Sequence, residues 1–103
     1  MKRIIFTEEA EAFANRMDFL SQKKLARMVT ILESQGFLRA PMAEKVSDNL
    51  FAIRIMTAAN NRFFYCYDDG ITIYVISGYT KKSAHIPTKE LNRAIAIKKG
   101  LGL

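Results

Sequence analysis

The sequence predicts an α+β domain: an antiparallel sheet with a mixed edge, an N-terminal helical hairpin on one face and a C-terminal helix. Three observations predict it. Apolar residues recur at helical spacing as far as about residue 35. From Leu50 the period changes to two, in runs rich in Ile, Phe, Tyr and Val. Between two of those runs stands Asp69-Gly70, a pair whose central positions tolerate positive φ and so favour a tight hairpin.

Each element has its own signal. Arg3 to Phe6 is a short β-rich segment. Thr7 can cap a helix whose first turn carries Glu8, Glu9 and Glu11, suited to the positive end of the helix dipole. Phe13 and Met17 share its apolar face, four residues apart. Asp18 or Ser21 offers a second start, followed by Leu25, Met28, Val29 and Leu32, with Gly36 as terminator. This predicts helices near 8–17 and 21–35, paired as a hairpin, or else a single bent helix. From Phe37 to Asn49 the stretch "FLRAPMAEKVSDN" has no strong period and reads as a connection. Strands are expected at Leu50–Thr57, Arg62–Tyr67 and Ile71–Thr80, with a looser turn at Asn60-Asn61. Pro87 can open a last helix through Glu90, Leu91, Ala94 and Ile95, which Gly100 ends.

Composition bounds the function. A chain of 103 residues supports one domain, residues 1–103, with one core. Half of the residues are hydrophobic, which excludes a disordered chain. Sixteen Lys and Arg against ten Asp and Glu leave a formal charge of +6, an excess that favours nucleic acid or another acidic partner. Cys66 is the sole cysteine, so no internal disulfide forms; it reads as a small apolar filler, and a reducing compartment fits. The N-terminal apolar run is too short for a signal peptide, and no run approaches the roughly 18 apolar residues of a membrane span, so a cytoplasmic protein without membrane contact is expected. CxxC, HExxH, GxSxG and Gly-rich phosphate-loop patterns are all missing, so neither a metal nor a nucleotide cofactor is expected.

The stretch "ISGYTKKSAHIP", Ile76 to Pro87, places two lysines, a serine and the only histidine where a strand ends. With a two-residue turn at Asp69-Gly70, Phe64 opposes Val75 and Arg62 opposes Ser77; closing the other hairpin over 57–61 sets Arg54 opposite Phe64. Arg54, Arg62, Ser77, Tyr79 and Lys81 then emerge on one face, while Phe51, Ile53, Ile55, Phe63, Tyr65, Tyr74 and Ile76 form the helix-covered face. No acidic residue lies between Leu50 and Tyr67 to pair with the arginines. They are therefore expected to look outward into a groove, since an isolated buried charge is costly.

Along this region, Ile53-Arg54, Arg62, Tyr65, Asp69-Gly70, Gly78-Tyr79, Lys81-Lys82-Ser83, Pro87 and Glu90 follow one another in an order and spacing that resembles the signature region of the RelE/HigB toxin superfamily, above all its phage-derived HigB-like branch. The likeness covers residues 50–95 well and the helical half only in layout. It implies a RelE-like fold and a metal-independent, cofactor-free endoribonuclease, an mRNA interferase. This would be the toxin of a type II toxin–antitoxin pair, inhibiting translation and growth. Its implied partners are a cognate antitoxin, a small helix-turn-helix protein, together with the ribosome and mRNA. Attack by a ribose 2′-hydroxyl requires a proton acceptor, neutralisation of the phosphorane and a proton for the leaving oxygen. The resemblance assigns Arg54 and Arg62 to the transition-state charge and Lys81 and Lys82 to RNA contact. A lysine crowded by other cations is also a candidate base. Tyr79 is assigned to base stacking, Ser77 and Ser83 to substrate contact, and His85 to proton donation. The sequence departs from the family where Asn61 precedes Arg62, where Ser77 replaces a frequent histidine, and at His85, a position not reliably histidine. Two other readings stand beside this one: a ParE-like toxin that poisons gyrase, which usually lacks such a cationic cluster, and a non-catalytic nucleic-acid-binding module.

Overall fold

A computed structural model describes residues 1–103. The chain runs β1 (Arg3–Phe6), α1 (Glu8–Arg16), α2 (Phe19–Gln35), β2 (Ala43–Ser47), β3 (Leu50–Ile55), β4 (Asn61–Asp68), β5 (Thr72–Thr80) and α3 (Thr88–Gly100). The five strands form one sheet in the order β1-β5-β4-β3-β2. Only β1 pairs in parallel, with β5, so the predicted mixed edge is present.

Local chemistry sets the helix ends. Thr7 accepts the Ala10 N–H at 3.2 Å as N-cap of α1, and its hydroxyl donates to the Ile76 carbonyl, tying the helix start to β5. Asp18 caps α2 by accepting the Ser21 N–H at 3.0 Å and its hydroxyl at 2.7 Å; these bonds hold the carboxylate below its ordinary pKa. The helix thus starts at Phe19 rather than at residue 21. Gly36 ends it in the left-handed region at φ 87°.

Alternation along the strands separates two cores. Ile53, Ile55, Phe63, Tyr65, Ile73 and Val75 meet Ala10, Leu25 and Leu32 of α1 and α2. On the other face Leu50, Ala52, Phe64, Cys66, Ile76 and Tyr79 meet Ala94 of α3. Burial raises the Cys66 thiol pKa to about 11, which leaves it an inert filler as the sequence suggested.

Three expectations are corrected. The supposed connection contains β2, an edge strand antiparallel to β3; five residues with a bulge at Lys45/Ser47 are too few to show a period. The β4–β5 loop has three residues instead of two, because Asp68 pairs with Thr72. Asp69 turns there at φ 28° and its side chain accepts the N–H groups of Ile71 and Thr72. Finally, the longer loop, with a bulge opposite Phe64/Tyr65, moves Tyr74 and Ile76 to the α3 face.

Gly78 shows how tightly the α1 face closes. A Cβ there would stand 2.6 Å from Phe13 Cδ2 and 3.0 Å from Phe63 Cε2. Gly78→Ala is expected to lose about 1–3 kcal/mol of unfolding free energy from overpacking, measurable as a lower urea midpoint; an unchanged midpoint would show that Phe13 moves aside freely.

Candidate functional site

The end of the sheet formed by the C-terminus of β3, the N-terminus of β4 and the C-terminus of β5 gathers most of the expected residues. Arg54 is the cross-strand partner of Arg62, and Arg62 that of Tyr79. The three side chains make a row across three adjacent strands on the α3 face, with Tyr79 belonging to the core that α3 covers. The registers differ from those expected, yet the face shared by Arg54, Arg62, Ser77 and Tyr79 is the one expected, since Ser77 pairs with Phe64 of the same face.

The environment of the arginines is not the one the sequence suggested. Arg54 has a carboxylate partner: its Nη2 lies 2.8 Å from Glu44 Oε2. Glu44 belongs to β2, the strand hidden in the supposed connection, and stands diagonally across from Arg54, where long side chains of adjacent strands meet. Arg62 does not look outward, being only 6% exposed. Its Nη1 donates to Asn60 Oδ1 at 2.7 Å and to the Asn61 carbonyl at 3.2 Å. Burial first, and then the neighbouring Arg54 charge, lower its pKa; a guanidinium starts so high that it stays a cation.

Tyr79 is likewise no free stacking platform. It is buried, with its ring stacked on Phe64 at 5.4 Å and 23°. Burial raises its pKa while the Arg62 charge opposes the rise. Its hydroxyl and Arg54 Nε are the two buried side-chain polar atoms without a hydrogen-bond partner. An unpaired buried donor costs about 1–3 kcal/mol, so two of them flanking a buried guanidinium call for an explanation.

Asn60, at φ 55°, links the turn to the lysines: its carbonyl accepts the Lys81 N–H at 3.0 Å. Lys81 is thereby held beside the turn that anchors Arg62. Lys82 and Ser83 are exposed and border a groove of about 600 Å³ that runs between α1, the end of β5 and α3. Ser77 is buried at its floor. His85 is exposed and its imidazole joins no hydrogen bond; only its carbonyl is engaged, by the Ser83 hydroxyl at 3.0 Å. Arg54, Arg62, Tyr79 and Lys81 are thus brought together, Lys82 and Ser83 lie beside them, and His85 stands apart. Sequence reasoning missed Glu44 and Asn60. Ala43-Glu44-Lys45-Val46 runs apolar, polar, polar, apolar, so no alternation marked the strand that carries the first.

Chemically, the row offers cations and neutral donors around one spot, with a single carboxylate hydrogen-bonded to its edge. That set suits a phosphodiester, whose charge it can neutralise and whose oxygens it can engage.

The same architecture is found in solved structures of the Escherichia coli toxin RelE. A double mutant of RelE in the free state superposes with a TM-score of 0.70 at 16% identity, over 92% of this chain and 95% of that one. The isolated toxin gives 0.66 at 14% identity, over 90% and 98%, and the intact RelBE toxin–antitoxin complex gives 0.60 at 15%, over 81% and 100%. The fold is therefore that of RelE. The family model of phage-derived Gp49-like proteins (DUF891) matches residues 12–99, and the chain belongs to that family. No curated protein matches it. No helix is long and apolar enough to cross a membrane.

Proposed function

We propose that this chain is the toxin of a type II toxin–antitoxin pair and cuts mRNA on the ribosome without a metal. The observation that carries the reading is the row itself: a buried guanidinium, Arg62, flanked by two buried donors that lack partners in the protein, Arg54 Nε and the Tyr79 hydroxyl. The likeness in fold to a toxin crystallised with its antitoxin supports it.

The residues divide the reaction among them. The 2′-oxygen attacks phosphorus while the bond from phosphorus to the 5′-oxygen breaks. In this reading Glu44, the carboxylate ion-paired with Arg54, accepts the 2′-hydroxyl proton, with Lys81 as the second candidate base. Arg62 and Arg54 neutralise the phosphorane, and small rotations bring the orphaned donors onto its oxygens. Lys82, or His85 after movement of the 81–87 segment, protonates the 5′-oxygen. The products are a 2′,3′-cyclic phosphate and a 5′-hydroxyl. Tyr79 serves as a hydrogen-bond donor in this account, not as a stacking surface.

The antitoxin is the proposed protein partner, a small helix-turn-helix protein, and the cytoplasm the proposed site of action. Controlled expression tests the reading. Induction is expected to stop incorporation of labelled methionine within minutes and to arrest growth, without a DNA-damage response. A DNA-damage response with translation intact would instead assign the gyrase-poisoning activity, and normal growth with full-length protein present would leave a passive binding module.

A further inference from the structure

We infer that Thr57 and Ser21 are positioning residues: from the first turn of α2 they hold the β3–β4 turn, residues 56–60, and through Asn60 they set the guanidinium of Arg62. The hydrogen bonds between them are continuous. Asp18 Oδ1 accepts the Ser21 hydroxyl at 2.7 Å, and Ser21 Oγ lies 2.8 Å from Thr57 Oγ1. A hydroxyl has one proton, and that of Ser21 goes to Asp18, so Thr57 is the donor to Ser21. The Thr57 carbonyl accepts the Asn60 N–H at 3.0 Å, and Asn60 Oδ1 accepts Arg62 Nη1 at 2.7 Å. Every donor along the way from Arg62 points toward the Asp18 carboxylate.

Packing does little to fix this turn. Met56, Ala58 and Ala59 are exposed, and a cavity of about 290 Å³ lies between Ala59, Asp18 and Thr80. Ser21, in contrast, is fully buried, and Asp18 accepts both its hydroxyl and its N–H. A polar side chain so placed keeps its partners, so Ser21 is a firm post for the turn. Lys24, one helical turn further along, adds a second tie by donating to the Met56 carbonyl at 2.9 Å. Asn60 stands in the left-handed region at φ 55°, and its side chain swings with any shift of the backbone beside it. Without the Thr57 tie, Asn60 and with it Arg62 take more than one orientation. A donor that must reorient during the reaction stabilises developing charge less than one already in place. Only the effect on cleavage rests on the role proposed for Arg62; the effect on its guanidinium does not.

Thr57→Val keeps the β-branched shape and removes the donor. Two readouts on the full chain test it: the guanidinium NMR signals of Arg62, and kcat and KM for cleavage of mRNA on ribosomes. In Thr57→Val the Arg62 guanidinium should rotate at least about threefold faster, and kcat should fall about 3–10-fold with KM unchanged, the equivalent of one net hydrogen bond. Thr57→Ser, which restores the hydroxyl, should recover both. Asn60→Gly keeps the left-handed turn and removes Oδ1; adding Thr57→Val to it should lower kcat no further, since both act through the same bond. Leu32→Val, which loosens packing at a fully buried site farther along α2, should leave both readouts at wild type. If Thr57→Val misfolds, the wild-type protein still decides: slowly exchanging hydroxyl protons of Ser21 and Thr57 are expected, and rapid exchange of both would overturn the inference. Unchanged Arg62 signals in Thr57→Val, no recovery in Thr57→Ser, an equal effect in Leu32→Val, or altered signals with kcat unchanged would each overturn it too. A wild-type protein that cuts nothing would overturn the proposed function instead, and the Arg62 signals would then decide this inference alone.

Discussion

Arg62→Ala is expected to lower RNA cleavage by about 10²–10³-fold, the usual effect of removing one preorganised donor from developing charge. Arg62 is the buried member of the row, positioned by Asn60 Oδ1 at 2.7 Å and by the Asn61 carbonyl, so its geometry is set before substrate arrives. Its burial changes what the substitution does to stability. An exposed arginine would be worth little, but here truncation strands Asn60 Oδ1 while it also removes a desolvated charge repelled by Arg54. These effects oppose each other, and the net change should stay within about 2 kcal/mol. Arg62→Lys should recover little activity, because an ammonium on a flexible stem lacks the planar fork whose Nη1 holds Asn60 while its other nitrogens stay free for a phosphate oxygen. Cleavage assays and thermal melts on both variants decide it. Wild-type cleavage by Arg62→Ala would remove this residue from the mechanism, and an unfolded variant would make it structural.

Phe63→Ala should produce the largest loss of stability, about 3–5 kcal/mol. The ring is fully buried and packs edge-on against Phe13 at 5.5 Å and Phe6 at 6.5 Å. Gly78 provides the space in which Phe13 and Phe63 meet, so the neighbouring backbone is already as close as it can come. The cavity left by truncation is walled by three elements, α1, β1 and β5, that are fixed by their own ladder and cap bonds and cannot collapse into it. Total stabilities of small domains lie near 5–15 kcal/mol, so the variant should be largely or partly unfolded at physiological temperature. Urea titration measures this; a loss under about 1 kcal/mol would mean that the α1 face is not the main core.

Long, periodic elements were legible in the sequence and short or irregular ones were not. Thr7, Asp18 and Gly36 marked helix ends because capping chemistry is local, and Pro87 did so through its fixed φ. β2 stayed hidden, since Ala43–Ser47 forms a strand by pairing with β3 and not by its own pattern. With it went Glu44, and so the arginines seemed to lack a partner. The shared face of Arg54, Arg62, Ser77 and Tyr79 was found even though both hairpin registers were displaced. The Arg54–Arg62 pairing slid by two residues, which preserves a face, and the bulge in β5 offset the longer loop at Asp69. Burial of Arg62 and Tyr79 could not be read from the chain. Tyr79 is buried with Phe64 in the core under α3, and Arg62 is held at the strand end by Asn60 of the β3–β4 turn, both products of tertiary packing.

The most direct measurement of the central claim, that this row of side chains cuts RNA, is cleavage of a defined mRNA on translating ribosomes with the product ends identified. The site holds cations and one carboxylate but does not itself align ribose and phosphate, and the gain from alignment can be very large. The account predicts cuts on the ribosome, little cutting of the same RNA when naked, a 2′,3′-cyclic phosphate or 3′-phosphate at each new end, and loss of cutting in Arg54→Ala and Lys82→Ala. Undiminished cleavage by both variants, or no cleavage of ribosome-bound mRNA by the folded wild-type protein, would contradict it.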